Sequence, residues 1–216
     1  MLSCPEPTTA AIPQFDYQSI GHLEVRPILS CEQSRWDDLM KKHHYLGLRA
    51  IVGEAMRYVA ILDGQWVALV GFGAAALKSR HRDGLIGWKP EIQWQRLKLV
   101  ANNVRFLLLP EVRIKNLASK VLALTTKRLS ADWQAVYDHP ILLVETFVDD
   151  RRFLGTCYKA AGWLPLGKTA ASRGMAGNTP STGTSKLSLS APCHAKLCTC
   201  WPIPCPIQKC CPRRLL

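Results

Sequence analysis

Residues 104–129 read VRFLLLPEVRIKNLASKVLALTTKRL, and this stretch decides the fold. The apolar run Phe106–Leu109 ends at Pro110, which has no backbone N–H to donate, so a strand is predicted to end there. Apolar residues at Leu117, Val121, Leu122, Leu124 and Leu129 then recur close to helical spacing and predict a helix. Because a helix start directs free N–H groups and a positive dipole end at the preceding loop, the basic loop is a candidate anion-binding site.

A hairpin is the clearest local signal before this stretch. Arg57–Leu62 and Gln65–Phe72 are rich in apolar, β-branched and aromatic residues, and Asp63–Gly64 between them is typical of a two-residue primed turn. The following GFGAAA, residues 71–76, favours tight sheet packing because its side chains are small. This run lacks the Gly-Lys-Ser/Thr of a phosphate loop, so packing is its default interpretation.

The other segments alternate between strand and helix patterns. Further strands are predicted over 24–29 and 141–148, and further helices over 30–47, 90–100 and 149–163. Ser30 and Gln33 have capping-box spacing, whereas Asn102 and Asn103 are interpreted as the end of a helix. Residues 78–87 are interpreted as a polar loop and 130–138 as a link. This order predicts one α/β domain with an antiparallel first half and parallel pairing around the organising strand.

Composition divides the 216 residues into a loose leader (1–20), a domain (21–171) and a tail (172–216). The net charge is +12, but the tail holds six Lys or Arg and no acidic residue, so the domain itself is only mildly basic. That balance allows DNA or RNA as a partner without predicting a dedicated binding stripe. The leader has no basic n-region, and the most apolar window, Val59–Leu77, is interrupted by polar residues. A cytoplasmic protein with no membrane partner is therefore predicted.

The tail is predicted to be disordered, because it is basic and rich in Pro and Cys. Codons for Pro180–Ser190 can be chosen so that the +2 frame reads VHRHVKAVFV, a strand pattern, and the tail is therefore interpreted as a possible frameshifted read. The nucleotide sequence decides this. A zinc site is the competing interpretation, yet the six tail cysteines contain no paired C-x-x-C, so no metal is predicted.

Two segments resemble the GCN5-related N-acetyltransferase (GNAT) superfamily. Leu107–Ser119 is similar to its central strand and cofactor loop, matching at Arg113 and Ala118 and departing at Asn116, where glycine is preferred. Asn is the next most tolerant residue of a left-handed conformation. The strand that includes Glu145, followed by TFVDDRRFLGTCYKAAGW, resembles the superfamily's strand and its helix ending Tyr-x-x-x-Gly-aromatic. The resemblance implies a GNAT-like mixed sheet flanked by helices.

The same resemblance implies an acyl-CoA cofactor and its site. The cofactor would contact Leu107, Leu109, Arg113, Lys115, Asn116, Leu117 and Ala118. Tyr158 falls where the superfamily often has the tyrosine that protonates the leaving thiolate, and Glu145 is a tentative general base.

At the level of the whole domain, the sequence resembles the family of the Druantia anti-phage system protein DruA. The matching segments are HHYLG (43–47), LVGFGAAALKSRHRDGLIGW (69–88), NNVRFLLLPEVRIKNLAS (102–119) and LLVETFVDDRRFLGTCYKAAGW (142–163). The resemblance implies a bacterial anti-phage defence or transposon-linked system, with other defence or transposition proteins as partners. The alternative is a non-catalytic nucleic-acid-associated module that uses Lys78, Arg80, Arg82, Lys115, Lys120 and Lys127 on phosphates.

Each candidate site residue also has a structural interpretation. Arg113 and Lys115 are most simply interpreted as a solvated turn, and Tyr158 is more often a core aromatic with its hydroxyl at the rim. A buried carboxylate must be paired or have a shifted pKa, so Glu145 is expected to pair with a residue such as Arg105 or Arg152.

Overall fold

The computed structural model describes residues 22–51, 53–169 and 186–192, the last of these by backbone alone. This part of the chain forms a seven-stranded mixed sheet and five α-helices. The strands are β1 (Glu24–Pro27), β2 (Ala55–Leu62), β3 (Gln65–Ala74), β4 (Val100–Leu108), β5 (Leu143–Asp149), β6 (Leu164–Thr169) and β7 (Lys186–Pro192). The helices are α1 (Gln33–His43), α2 (Arg80–Ile86), α3 (Pro90–Arg96), α4 (Leu117–Tyr137) and α5 (Thr156–Ala160).

The sheet has the order β1-β2-β3-β4-β5-β7-β6. Its first four strands are antiparallel neighbours, β4 and β5 are parallel, and β7 is antiparallel to both β5 and β6. The predicted α/β class is confirmed, with its antiparallel first half and its parallel pairing at β4. None of the helices in the described residues is long and apolar enough to cross a membrane.

Helices lie on both faces of the sheet, as two adjacent residues of β2 show. The Arg57 guanidinium lies 5.4 Å from the Trp36 ring of α1 and 3.5 Å from the Asp37 carboxylate. The Tyr58 hydroxyl donates instead to Oδ2 of Asp132 on α4, at 3.0 Å. Since successive side chains of a strand point to opposite faces, the sheet has an α1 face and an α4 face.

The predicted hairpin is confirmed. Asp63 and Gly64 both have positive φ, 49° and 76°, as a primed two-residue turn requires. The predicted capping box is wrong in its acceptor: Glu32, not Gln33, accepts the Leu29 N–H at 2.7 Å. Arg26 holds that carboxylate through two hydrogen bonds of 2.6 and 2.7 Å, so Glu32 is fixed at the position where it caps the helix.

Three predicted boundaries are wrong. The polar segment 78–87 contains α2, whose Arg82 is fully buried. The link 130–138 is the end of α4, in which Trp133 is buried. Asn102 and Asn103 lie inside β4, where the Asn103 amide donates to the Gly71 carbonyl at 3.0 Å beside a register shift. In each case a tertiary contact outweighs the local polarity of the sequence.

The end of the domain differs from its prediction in two ways. The helix predicted from Asp149 is only α5, which begins after Gly155 in a left-handed conformation, φ 66°. Residues 186–192, within the tail predicted to be disordered, form β7 between β5 and β6. A strand there satisfies backbone groups of both neighbours, and the alternating KLSLSAP suits that position. The leader, the tail cysteines and the remainder of the tail lie outside the described residues.

Candidate functional site

The sheet opens between β4 and β5. The two strands pair only from Val100 with Leu143 to Asn103 with Thr146. Beyond this point β4 continues to Leu108 along β3, whereas β5 continues to Asp149 along β7. The carboxyl halves of two parallel neighbours therefore part, and the edge of β4 that faces β5 is left unpaired over its last residues.

We call the gap between the carboxyl halves of β4 and β5 the wedge. A basic loop, residues 110–116, lies at its open end. Its residues alternate between anchors and exposed groups: Val112 and Ile114 are buried, while Arg113 and Lys115 face solvent. The apolar residues fix the loop, and the two cations are presented outward. This placement agrees with the prediction of a basic loop at the start of α4, and phosphate binding there stays a prediction.

Asn116 gives the loop its turn. It has φ 63° and ψ 1°, the left-handed conformation for which glycine is usual and asparagine is tolerated. The Asn116 carbonyl accepts hydrogen bonds from Lys120 N–H at 3.1 Å and the Ser119 hydroxyl at 2.9 Å. Asn116 therefore adopts the left-handed conformation that precedes α4, with Leu117 and Ala118 in the first helical turn.

Asn116→Ala is expected to lower the free energy of unfolding by about 1 kcal/mol, because alanine lacks the local hydrogen bonding that lets asparagine adopt positive φ. Asn116→Gly is expected to be neutral or slightly stabilising. Urea unfolding of both variants measures this, with exposed Lys115→Ala as the neighbouring control. Equal stability of the Asn116→Ala and Asn116→Gly variants would contradict the conformational explanation.

Tyr158 lies at the apex of the wedge on the α4 face. Its hydroxyl donates to Oδ1 of Asn103 at 2.7 Å, and its ring meets Phe106 and Trp163 edge-on at 6.1 and 5.1 Å. The Thr146 hydroxyl donates to the Asn103 carbonyl at 3.0 Å, so the last paired residues of β4 and β5 hold the site together. Burial raises the pKa of Tyr158, which keeps the phenol protonated.

Glu145 lies on the other face, paired with a residue that the sequence did not suggest. Its Oε1 accepts from Arg82 Nη1 and from the Ala76 N–H, both at 2.9 Å. Glu145 and Arg82 are 0% exposed. Burial raises the pKa of Glu145, while the Arg82 charge opposes that rise. Pairing was expected, but Arg105 and Arg152 are the wrong partners; Arg105 instead donates to the Gly47 carbonyl at 3.0 Å.

The structure thus separates the two predicted catalytic residues. Tyr158 faces the wedge, and Glu145 closes an ion pair with α2 on the α1 face. Asn103 was not predicted as a site residue. Its side chain bonds to the Gly71 carbonyl of β3, the Arg105 carbonyl of β4 and the Tyr158 hydroxyl. The sequence feature that could have indicated it is the Asn-Asn pair directly before an apolar strand.

The cations suggested for nucleic acid are divided by burial. Arg82 is fully buried and cannot contact a phosphate. The other five are exposed: Lys78, Arg80, Lys115, Lys120 and Lys127. Among the described residues, no group of three or more His, Cys, Asp or Glu side chains is placed to hold a metal ion.

The comparisons with known proteins agree on family and fold. The model of the family described as Druantia protein DruA matches residues 17–178. A GNAT-family acetyltransferase from Streptococcus pneumoniae superposes with a TM-score of 0.51 at 10% identity, covering 79% of this chain and 99% of that one. The ribosomal-protein-S18-alanine N-acetyltransferase from Escherichia coli gives 0.51 at 8% identity, covering 79% and 93%.

The aminoglycoside acetyltransferase AAC(6')-Ib, solved with coenzyme A, gives a TM-score of 0.51 at 14% identity, covering 79% of this chain and 94% of that one. No curated protein sequence matches the chain. At these identities the structural similarity establishes the fold, and the predicted GNAT-like sheet flanked by helices is confirmed.

Proposed function

Given that this chain belongs to the Druantia DruA family, we propose that it is an acyl-CoA-dependent acyltransferase of a bacterial anti-phage defence or transposon-linked system. The observation that carries the acyltransferase proposal is the parting of β4 and β5 directly beside a buried tyrosine, with a basic loop at the open end. A GNAT-like fold supports it, since that fold is shared with acetyltransferases.

The loop before α4 would hold the pyrophosphate of the cofactor. The Leu117 N–H donates to the Ile114 carbonyl at 3.3 Å, which leaves the first-turn N–H of Ala118 without a helical carbonyl partner. The positive end of the 21-residue α4 also favours an anion. The exposed Arg113 and Lys115 add two positive charges, and arginine can bind two phosphate oxygens at once.

The open edge of β4 would hold the pantetheine arm. Leu109 N–H donates to the Val67 carbonyl of β3 at 3.0 Å. Because backbone groups alternate in direction along a strand, those of Phe106 and Leu108 face the gap toward β5. They can pair with the amides of an extended arm. Leu109 is part of the hydrophobic core, and Leu107 packs against that core.

Tyr158 would complete the transfer at the apex. With an acyl-CoA bound, the acceptor nucleophile would form a bond to the thioester carbonyl carbon and lose its proton to water, and the C–S bond would break. Tyr158 would protonate the departing thiolate and regain a proton from solvent. Asn103 positions this hydroxyl by accepting its hydrogen bond. Glu145 is assigned to structure rather than to base catalysis, because its Oε1 already accepts two hydrogen bonds in a fully buried ion pair.

The test is isothermal titration of the full chain with acetyl-CoA. Arg113→Ala is expected to weaken binding about tenfold, the value of one lost charge-assisted contact. Lys127→Ala, an equally exposed cation farther along α4, is the matched control and is expected to leave the Kd unchanged. Absence of binding in the wild-type chain, or equal losses in the two variants, would refute the proposed cofactor site.

A further inference from the structure

A second cleft lies on the α1 face, apart from the cofactor loop. It has a volume of about 430 Å³ and is formed where the segment after α1 crosses the end of β3 and the middle of β4. Arg49 and Ile51 line it from that segment, Gly73 from β3, and Val104 and Arg105 from β4. Val104 is the first β4 residue beyond the last pair with β5, so the cleft reaches the point at which the wedge opens.

The cleft is positively charged without a compensating carboxylate. In the described part of the chain, neither Arg49 nor Arg105 has a carboxylate within ion-pair distance, whereas Arg26, Arg57, Arg82 and Arg128 all do. Arg105 is half-buried, and its desolvation together with the charge of Arg49 lowers its pKa. Two guanidinium groups at one cavity attract an anion.

Arg105 lines the cleft and keeps part of its guanidinium without a partner among the described residues. Its Nε donates to the Gly47 carbonyl at 3.0 Å and its Nη1 to the Val104 carbonyl at 2.7 Å. These bonds fix the planar group and leave Nη2 for a ligand. The nearby His44 adds no positive charge to the cleft at neutral pH, because burial and the Arg105 charge lower its pKa to about 4.

The rest of the cleft is apolar and closely fitted. A Cβ on Gly73 would lie 2.5 Å from Cγ2 of Ile51, so the segment after α1 can approach β3 only because this residue is glycine. Ala74, Ala75 and Leu77 continue the lining, and the Leu77 side chain is 62% exposed. The occupant therefore needs a small apolar body in addition to an anionic group.

We propose that this arginine cleft binds a small organic oxyanion, a carboxylate or a phosphate monoester with a short apolar body. That this oxyanion is one group of an acyl acceptor, whose separate amine or hydroxyl would take the acyl group, rests on the proposed function, because the cleft ends beside Val104 where the thioester would lie. Anion binding itself does not depend on a cofactor, so the two can fail separately.

The test uses the full chain without coenzyme A. Amide chemical shifts are followed by NMR during titration with butyrate, propyl phosphate or inorganic phosphate, and with uncharged butyramide. Butyrate or propyl phosphate is expected to give saturable shifts around residues 47–51 and 104–105, stronger than inorganic phosphate, and butyramide none. The stronger of the two organic anions identifies the headgroup.

Arg49→Glu is expected to weaken the organic-anion Kd at least about tenfold, because it replaces an attractive charge by a repulsive one. Lys127→Glu makes the same change of net charge on α4, on the other face, and is expected to have no effect. Arg105→Gln tests the inner group, with circular dichroism checking that the contact to Gly47 is not essential for folding.

Equal weakening by Lys127→Glu and Arg49→Glu, equal binding of butyramide, or no saturable shift with either organic anion would overturn the cleft proposal. Saturable anion binding with no acetyl-CoA binding in the wild-type chain would keep the cleft and remove only its role as acceptor site.

Discussion

Replacing Arg82 by methionine is expected to lower the free energy of unfolding by about 3–5 kcal/mol, the usual cost of leaving one charge of a buried pair uncompensated. Arg82 and Glu145 are both 0% exposed, and Nη1 of Arg82 lies 2.9 Å from Glu145 Oε1 and 2.7 Å from the Ala76 carbonyl. Methionine fills part of the volume but satisfies neither oxygen. Urea unfolding at neutral pH measures the loss, with the exposed α2 residue Arg80→Ala as control.

The deficit of the Arg82→Met variant is expected to grow with pH. The pKa of Glu145 is already raised by burial, so the folded state resists ionisation that the unfolded state undergoes freely. Folding stability therefore falls as pH rises from the unfolded pKa through the folded one. Removing Arg82 removes the charge that opposes this shift, so the variant's deficit should be larger at about pH 8 than at about pH 4. A stability deficit of the same size at both pH values would contradict the coupling between Arg82 and the ionisation of Glu145.

A double variant tests whether the loss of stability comes from leaving the Glu145 charge buried without a partner. Arg82→Met combined with Glu145→Leu removes both charges, and an apolar pair of similar volume is often no less stable than the ion pair. We expect this variant to regain most of the lost stability. Failure to regain it would mean that the hydrogen bonds lost in the double variant dominate over the Glu145 charge. These are the bonds of Arg82 with the Ala76 carbonyl and with Asp83, and the bond from the Ala76 N–H to Glu145.

The parts of the fold that follow local rules could be predicted from the sequence. Asp63–Gly64 adopts the positive φ values of a primed turn, and the strand that stops before Pro110 gives way to a helix from Leu117. Asn116 takes the left-handed conformation that its residue type tolerates. Each of these features depends on residues close together in the chain, where steric preferences and hydrophobic spacing act directly.

The parts that were missed depend on residues distant in the chain. Arg82 is 63 residues from Glu145, and only the folded sheet turns a polar HRDG segment into a helix with a buried cation. Asn103 stands in a strand because its amide meets the Gly71 carbonyl, 32 residues away. A polarity pattern assigns such residues to the surface, because it carries no information about a partner that makes burial possible.

The same separation decides what each candidate catalytic residue can do. The Tyr158 hydroxyl lies where β4 and β5 part, whereas Glu145 is held on the α1 face by Arg82. Under the proposed function, a reaction at the wedge would use the tyrosine proton, and the arginine cleft would bind the acceptor. Acid catalysis and acceptor binding would then lie on opposite faces of β4.

Tyr158→Phe is expected to slow thiol release from acetyl-CoA by about a hundredfold or more, the usual contribution of a positioned general acid. The assay follows hydrolysis of the thioester, with water in place of the acceptor. Since burial raises the pKa of Tyr158 above its ordinary value of about 10, the wild-type rate should not fall through loss of this proton below about pH 10.

Two further measurements distinguish an acid from a core aromatic. Phenylalanine keeps the ring contacts with Phe106 and Trp163 but removes the hydroxyl that donates to Asn103 Oδ1. An unpaired buried acceptor costs about 1–3 kcal/mol of stability, whereas the Kd for acetyl-CoA should stay unchanged. Asn103→Leu removes the acceptor of the hydroxyl and should slow thiol release while leaving the Kd for acetyl-CoA unchanged, if Asn103 only positions the tyrosine. Its loss of the amide bonds to the Gly71 and Arg105 carbonyls lowers stability in addition. A Tyr158→Phe variant that is destabilised yet releases thiol at the wild-type rate would assign Tyr158 to packing alone.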